Sequence, residues 1–138
     1  MVDTMYLAVV EMEKPVISEN SPIELKLLDN IRSLQREGAP DILGRVIDHY
    51  LSQSPDSIRK LNEAIAANDI ELIRSISHRF KSGSANLGAL RLAEICGVME
   101  RSASVNTMAV NKEILAKLES EYEAARIALA AVRQGGTQ

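Results

Sequence analysis

Ile76-Ser-His-Arg-Phe-Lys-Ser-Gly-Ser-Ala-Asn-Leu-Gly-Ala89 is the stretch that decides the fold of this chain. Its apolar residues, with Ile70 and Ile73 just before them, recur at spacings of three, four and seven, as one buried helix face requires. With about 100° of rotation per residue, Ile73, Ile76, Phe80 and Leu87 cluster within about 60° of one another. His78 falls about 175° from their mean direction and so points away from the core. Lys81, Ser82 and Ala85 lie within about 60° of it, and Arg74 about 40° away on the preceding turn. The predicted picture is an imidazole on a solvent-facing ridge, with a cation beside it and little bulk around it.

Working outward, the same period recurs on both sides. Towards the N-terminus, Ser21-Pro22-Ile23-Glu24 reads as a helix start, with Ser21 as cap, Pro22 in the first helical position and Glu24 closing a capping box. Leu25, Leu28, Ile31 and Leu34 follow on one face, and the helix is expected to end near Gly38. Pro40 and Asp41 open the next helix, whose stripe is Ile42, Leu43, Val46, Ile47, Tyr50 and Leu51. The pattern resumes after Pro55 with Ile58, Leu61, Ala64 and Ile65. Either one long helix bends at Pro55 or two helices abut there, and Ala67-Asn68 ends the run. Asn68 or Asp69 can cap the His78 helix, and Asn86-Leu-Gly88 can stop it. Leu90, Leu92, Ile95, Cys96 and Met99 make a further stripe, Ser102 to Asn106 a loop. A last helix is expected from about Met108 to Arg133, burying Ile114, Leu115, Leu118, Tyr122, Ala125, Ile127 and Leu129.

These elements imply an all-α fold, an antiparallel four-helix bundle with an additional N-terminal helix over residues 21–134. Residues 1–20 lack a clear period and read as an arm or linker, and Gly135 to Gln138 as a disordered tail.

Composition narrows the function. At 138 residues and 46% hydrophobic the chain can build one domain with a real core. A net charge of −3 and only Tyr6, Tyr50, Phe80 and Tyr122 as aromatics argue against nucleic acid as a partner. No apolar run reaches the roughly 18 residues that span a bilayer, and Met5–Val10 lacks the flanks of a signal peptide, so no membrane partner is expected. Cys96 is the single cysteine and sits on an apolar stripe; core packing and a reducing, cytoplasmic setting follow.

Familiar catalytic constellations are missing. Neither histidine has a glutamate three residues before it, so a di-metal bundle site is not expected; position 75 is Ser and position 46 is Val. No Gly-rich loop joins a strand to a helix, and nothing supplies an oxyanion site, so no cofactor or nucleotide is expected. His49 adjoins Ile47 and Tyr50 and reads as a partly buried packing residue.

His78 itself is either a solvated, idle side chain or a nucleophile. Three features favour the nucleophile. Ser82 and Ala85 leave the ring open to a large partner. Lys81, with Arg74 and Arg79 nearby, offers positive potential to an anion. Gly83 sits in a helix interior at a cost of about 1 kcal/mol against alanine, as a close approach would justify. A neutral ring nitrogen can attack phosphorus without a general base, and a cation one turn away would help neutralise the phosphoryl oxygens.

His78-Arg-Phe-Lys81-Ser-Gly-Ser-Ala-Asn-Leu-Gly88-Ala89, followed by Leu92-Ala-Glu-Ile-Cys96 and Met99-Glu100, resembles the signature of histidine-containing phosphotransfer (HPt) domains. The similarity extends more loosely over about residues 21–130. The resemblance implies a four-helix bundle with an extra N-terminal helix, and a phosphocarrier without kinase activity. It would accept a phosphoryl group on histidine from a receiver-domain aspartate and pass it to another receiver. By position, the resemblance makes His78 the phospho-acceptor and Lys81 the cation near the phosphoryl group. Ser82 and Gly83 become the small residues that grant access. Glu100 stands where the next helix often offers a carboxylate or amide to the ring. The implied partners are response-regulator receiver domains. A hybrid histidine kinase is a further candidate partner, and residues 1–20, which the resemblance does not cover, are either the end of a linker from such a larger kinase or the start of a free-standing protein. The commonest family pattern has glycine directly after the lysine, where this chain has Ser82. A helical adaptor that docks a partner without chemistry is the alternative.

Overall fold

In a computed structural model the described residues are 21–38 and 40–135. The arm expected over 1–20 and the tail from 136 onward lie outside them. Among the described residues the chain forms five α-helices and no strand: α1 (Leu25–Arg32), α2 (Ile42–Ala66), α3 (Ile70–Asn86), α4 (Leu90–Ser102) and α5 (Met108–Arg133).

Each of the long helices begins and ends where its local chemistry dictates. Asp41, Asp69 and Thr107 cap α2, α3 and α5, each side chain accepting from a backbone amide of the first turn. Asn68 takes a left-handed φ of 53° and closes α2 just before the Asp69 cap. The helix runs unbroken through Pro55, so the single-helix alternative is the one realised. Short connections force sequential helices to run antiparallel, and α2, α3, α4 and α5 close into a ring by packing α5 back on α2. The expected bundle with an added N-terminal helix is the one found.

At mid-height the three rings of Tyr50, Phe80 and Tyr122 meet, with centroids 6.0–6.2 Å apart. They come from α2, α3 and α5 and pin these helices in rotation about their axes. Tyr50 also shares a hydrogen bond of 2.7 Å between its hydroxyl and Ser84 Oγ on α3. Cys96 is fully buried, in the packing role expected of it.

Three side chains depart from expectation. Val46 and Ile127 were placed on buried stripes and are exposed, at 36% and 56%. His49 was read as partly buried and is exposed. Ile127 is two residues from both Ala125 and Leu129, so about 200° of rotation carries it to the far face. His49 stands in the same relation to Ile47. Val46 borders an open groove between α2 and α3 instead of the core.

The N-terminal helix departs further. It starts at Leu25, capped by Glu24, and ends at Arg32 instead of near Gly38. Leu25 and Leu34, expected on its buried face, are 45% and 63% exposed. The displacement has a tertiary cause. The Glu24 amide donates to the Gly88 carbonyl at 2.7 Å, and Ile23 is buried beside it. With that amide committed, Ser21 Oγ cannot accept from it as the capping box requires, and accepts from the Ile23 amide instead.

Gly88 therefore does two things. It holds φ +79°, ending α3, and it admits the N-terminal segment: a Cβ there would lie 2.5 Å from the Glu24 carbonyl oxygen. Gly88→Ala is expected to lower stability by roughly 2–3 kcal/mol, combining the left-handed penalty with loss of a backbone hydrogen bond. Urea unfolding monitored by circular dichroism measures it. A change below about 0.5 kcal/mol, the level of an ordinary surface substitution, would show that α1 docks without this contact.

Candidate functional site

The rotation of α3, fixed by Phe80, Ile76 and Ile73 in the core, turns His78 outward, and its side chain is 61% exposed. Lys81 stands one turn later at 34%. From α4, Glu100 reaches both. His78 Nδ1 lies 2.9 Å from Glu100 Oε2, and Lys81 Nζ donates to Glu100 Oε1 at 2.7 Å. Of the sequence-predicted residues, these three are brought into direct contact.

A carboxylate can only accept, so Nδ1 carries the ring proton and donates it to Glu100. The other nitrogen, Nε2, then holds the lone pair. The tautomer follows from that partner. The Lys81 ammonium is the foremost reason that the Glu100 carboxyl is held below its usual value, with the His78 hydrogen bond acting in the same sense against partial burial. Beneath the pair, burial pushes the Cys96 thiol up to about 12, so it stays protonated and inert as a nucleophile.

The remaining candidates are spread around this centre. Arg74 donates to Ser104 Oγ at 3.1 Å, which ties it to the loop after α4. Arg79 lies on the opposite flank, in the groove between α2 and α3 that Val46 and His49 also line. Ser82 is exposed and Ala85 partly so. Gly83 turns towards α2, where a Cβ would rest 3.6 Å from the Tyr50 ring, an ordinary contact. The space left by that glycine thus borders the α2–α3 groove and the Tyr50 ring.

Gly97 is a contributor that periodicity alone did not single out. A Cβ at Gly97 would touch Lys81 Cδ at 3.5 Å and press on the Arg101 guanidinium at 2.9 Å. The lysine stem crosses α4 at this glycine on its way to Glu100, one turn further along. A glycine inside α4, three residues before an acidic residue, is the signal that was available.

Among the described residues, no group of three or more His, Cys, Asp or Glu side chains is arranged to hold a metal ion. No described helix is long and apolar enough to cross a membrane.

Comparison with known proteins agrees with this geometry. The Hpt domain family matches residues 45–128, which carry most of α2, all of α3 and α4, and most of α5. The crystal structure of histidine-containing phosphotransfer protein B (HptB) from Pseudomonas aeruginosa PAO1 superposes with a TM-score of 0.74. It is 26% identical, and the match covers 85% of this chain and 97% of that one. Multistep phosphorelay regulator 1 of Schizosaccharomyces pombe is 21% identical over 112 residues, which is 81% of this chain but only 37% of that protein. The chain thus spans little more than a third of the length of this curated relative. With more than half of its length matched by the family, and with the bundle shared, the chain belongs to the Hpt domain family and is a phosphotransfer domain.

Proposed function

We propose that His78 is the phospho-acceptor of a phosphorelay, taking a phosphoryl group from the aspartate of one receiver domain and passing it to the aspartate of another. The observation that carries this is the Glu100 contact to Nδ1, 2.9 Å long, on a ring that is 61% exposed. It leaves Nε2 as the nitrogen with a free lone pair, on a side chain that a large partner can reach. The Nε2 lone pair attacks the phosphorus of the acyl phosphate. The P–O bond breaks towards the aspartate, and the N–P bond forms. Lys81 supplies a cation for the phosphoryl oxygens one helical turn away. The domain carries the group between partners and contributes no kinase chemistry of its own.

Docking uses the rims of the site. Ser82 and Ala85 keep the ridge low, and Gly83 keeps the α2 side of it slim. Arg74 and Arg79 flank the ring on opposite sides, placed to meet the acidic pocket of a receiver. A footprint of this kind fits a transient complex at the small end of interface sizes. The donor receiver belongs to a hybrid histidine kinase or to a separate regulator.

Incubation with a phosphorylated receiver domain tests the reading. The label is expected to be acid-labile and alkali-stable and to map by mass spectrometry to the peptide holding His78. Receiver binding with no label transferred would overturn it in favour of a helical adaptor, and label on another residue would overturn the assignment to His78.

A further inference from the structure

The surface between α2 and α3 is one continuous groove. The part bordered by Val46, Gly83 and Leu87 shares Lys60, Ile76 and Arg79 with a second part that runs on to Ala67 and Leu72. Val46 and Leu72, towards its two ends, are exposed apolar side chains that the bundle leaves uncovered. The acidic groups along it are already committed. Asp56 meets Lys60 and Arg59, Glu63 meets Arg59, and Asp69 caps α3. Arg79 has no carboxylate partner among the described residues.

The chain carries a segment of matching chemistry. Met5-Tyr-Leu-Ala-Val-Val-Glu-Met-Glu13 is apolar except for Glu11 and Glu13. We infer that this segment occupies the α2–α3 groove of its own bundle, with apolar side chains over Val46, Ile76 and Leu72 and carboxylates facing Arg79 and Lys60. The connection is long enough. Ser21 lies three residues before Glu24, whose amide is held by the Gly88 carbonyl, and Asn86 and Leu87 line the near end of the groove. Residues 14–20 can span up to about 25 Å. By the rise of α3 from Leu72 to Asn86 the groove is about 21 Å long, and residues 5–13, if extended, cover about 30 Å. A tether this short sets a local concentration of roughly 1 mM, so a contact with a Kd of about 0.1 mM is closed about nine-tenths of the time.

The groove borders the His78 ridge. Arg79 follows His78 directly, and Gly83 faces the groove through the Tyr50 ring. On the phosphocarrier reading of His78, on which this consequence rests, the arm and an incoming receiver compete for Arg79 and for the α2 side of the ridge. Receiver affinity then falls in proportion to the fraction of open domains, about tenfold at the closure above. The arm thereby restrains transfer until a receiver displaces it.

The experiment places a nitroxide at Thr4→Cys in the full chain. Cys96 is fully buried and its thiol stays protonated, so the label goes to position 4. The amide signals of Ala67, Leu72 and Ile76 are expected to broaden, while those of Arg91 and Glu121, which face each other on the opposite α4–α5 side, stay sharp. Leu7→Asp in the labelled chain is expected to restore the groove signals, and Glu11→Lys with Glu13→Lys to restore them in part. A mixture of labelled chain and unlabelled 15N chain should show no broadening, because the contact is within one molecule. At subsaturating receiver, Leu7→Asp should raise the rate of phosphoryl uptake about tenfold, and the effect should vanish at saturation. Sharp groove signals in the labelled parent, broadening on the α4–α5 side instead, or broadening in the mixture, which would make a second copy the occupant, would overturn the inference. So would a measurable uptake rate that Leu7→Asp leaves unchanged. Parent and Leu7→Asp chains that both bind a receiver and take up no label would overturn the phosphocarrier reading, while the nitroxide signals would still decide where the arm lies.

Discussion

His78→Gln is expected to lower phosphoryl uptake from a phosphorylated receiver by at least about three orders of magnitude, because an amide nitrogen has no basic lone pair to offer phosphorus. The same substitution should leave stability within about 0.5 kcal/mol of the parent. The ring is 61% exposed and its hydrogen bond is to Glu100 on the surface of the bundle. A glutamine amide can donate to that carboxylate in its place, and the bond from Lys81 to Glu100 is untouched. Radiolabel uptake and a thermal melt, run on the same preparation, separate the two quantities. A melt lowered by more than a few degrees would mean that His78 belongs to the fold, and the loss of label would then say nothing about chemistry. Retained label in a stable variant would place the acceptor elsewhere.

The expected separation of function from stability mirrors what was legible in the sequence. Helical periodicity reports burial, so it located α2 to α5, the burial of Ile73, Ile76 and Phe80, and the outward angle of His78. It reports nothing about which exposed side chains meet across two helices. His78 and Glu100 are 22 positions apart, and only a family signature, not a period, suggested that they touch. Gly97 went unnoticed for the same reason, since its task is to let a lysine stem from another helix pass. The start of α1 was misplaced because a capping box is a local rule. The Glu24 amide is held by Gly88 in a contact that spans most of the bundle in sequence. His49 and Ile127 show the opposite limit. Each stands beside a strong apolar run, and adjacency to that run outweighed an angle that already points outward; Val46 shares the angle of the buried Ala64 and is exposed because its level of the helix opens onto the α2–α3 groove.

Phe80→Ala is expected to destabilise the bundle by about 3–5 kcal/mol, the usual range for removing a buried aromatic ring. Phe80 is 5% exposed and stands about 6 Å, centroid to centroid, from both Tyr50 and Tyr122. Its loss removes two aromatic contacts and opens a cavity where α2, α3 and α5 meet. Small domains hold only about 5–15 kcal/mol in total, so this one ring supports a large share. The functional consequence follows from geometry. Phe80 is two residues from His78 and one from Lys81, and its burial fixes which way α3 faces. A helix free to rotate or shift cannot hold Nδ1 at 2.9 Å from Glu100 while Lys81 reaches the other oxygen. Phe80→Leu keeps most of the volume and should cost under about 1.5 kcal/mol, preserving uptake. Equilibrium urea unfolding of the two variants, with phosphoryl uptake measured at a temperature where both remain folded, distinguishes packing from chemistry. A folded Phe80→Ala protein that takes up label at the parent rate would show that the rotation of α3 is set without this ring, by Ile73, Ile76 and the Tyr50–Ser84 hydrogen bond alone.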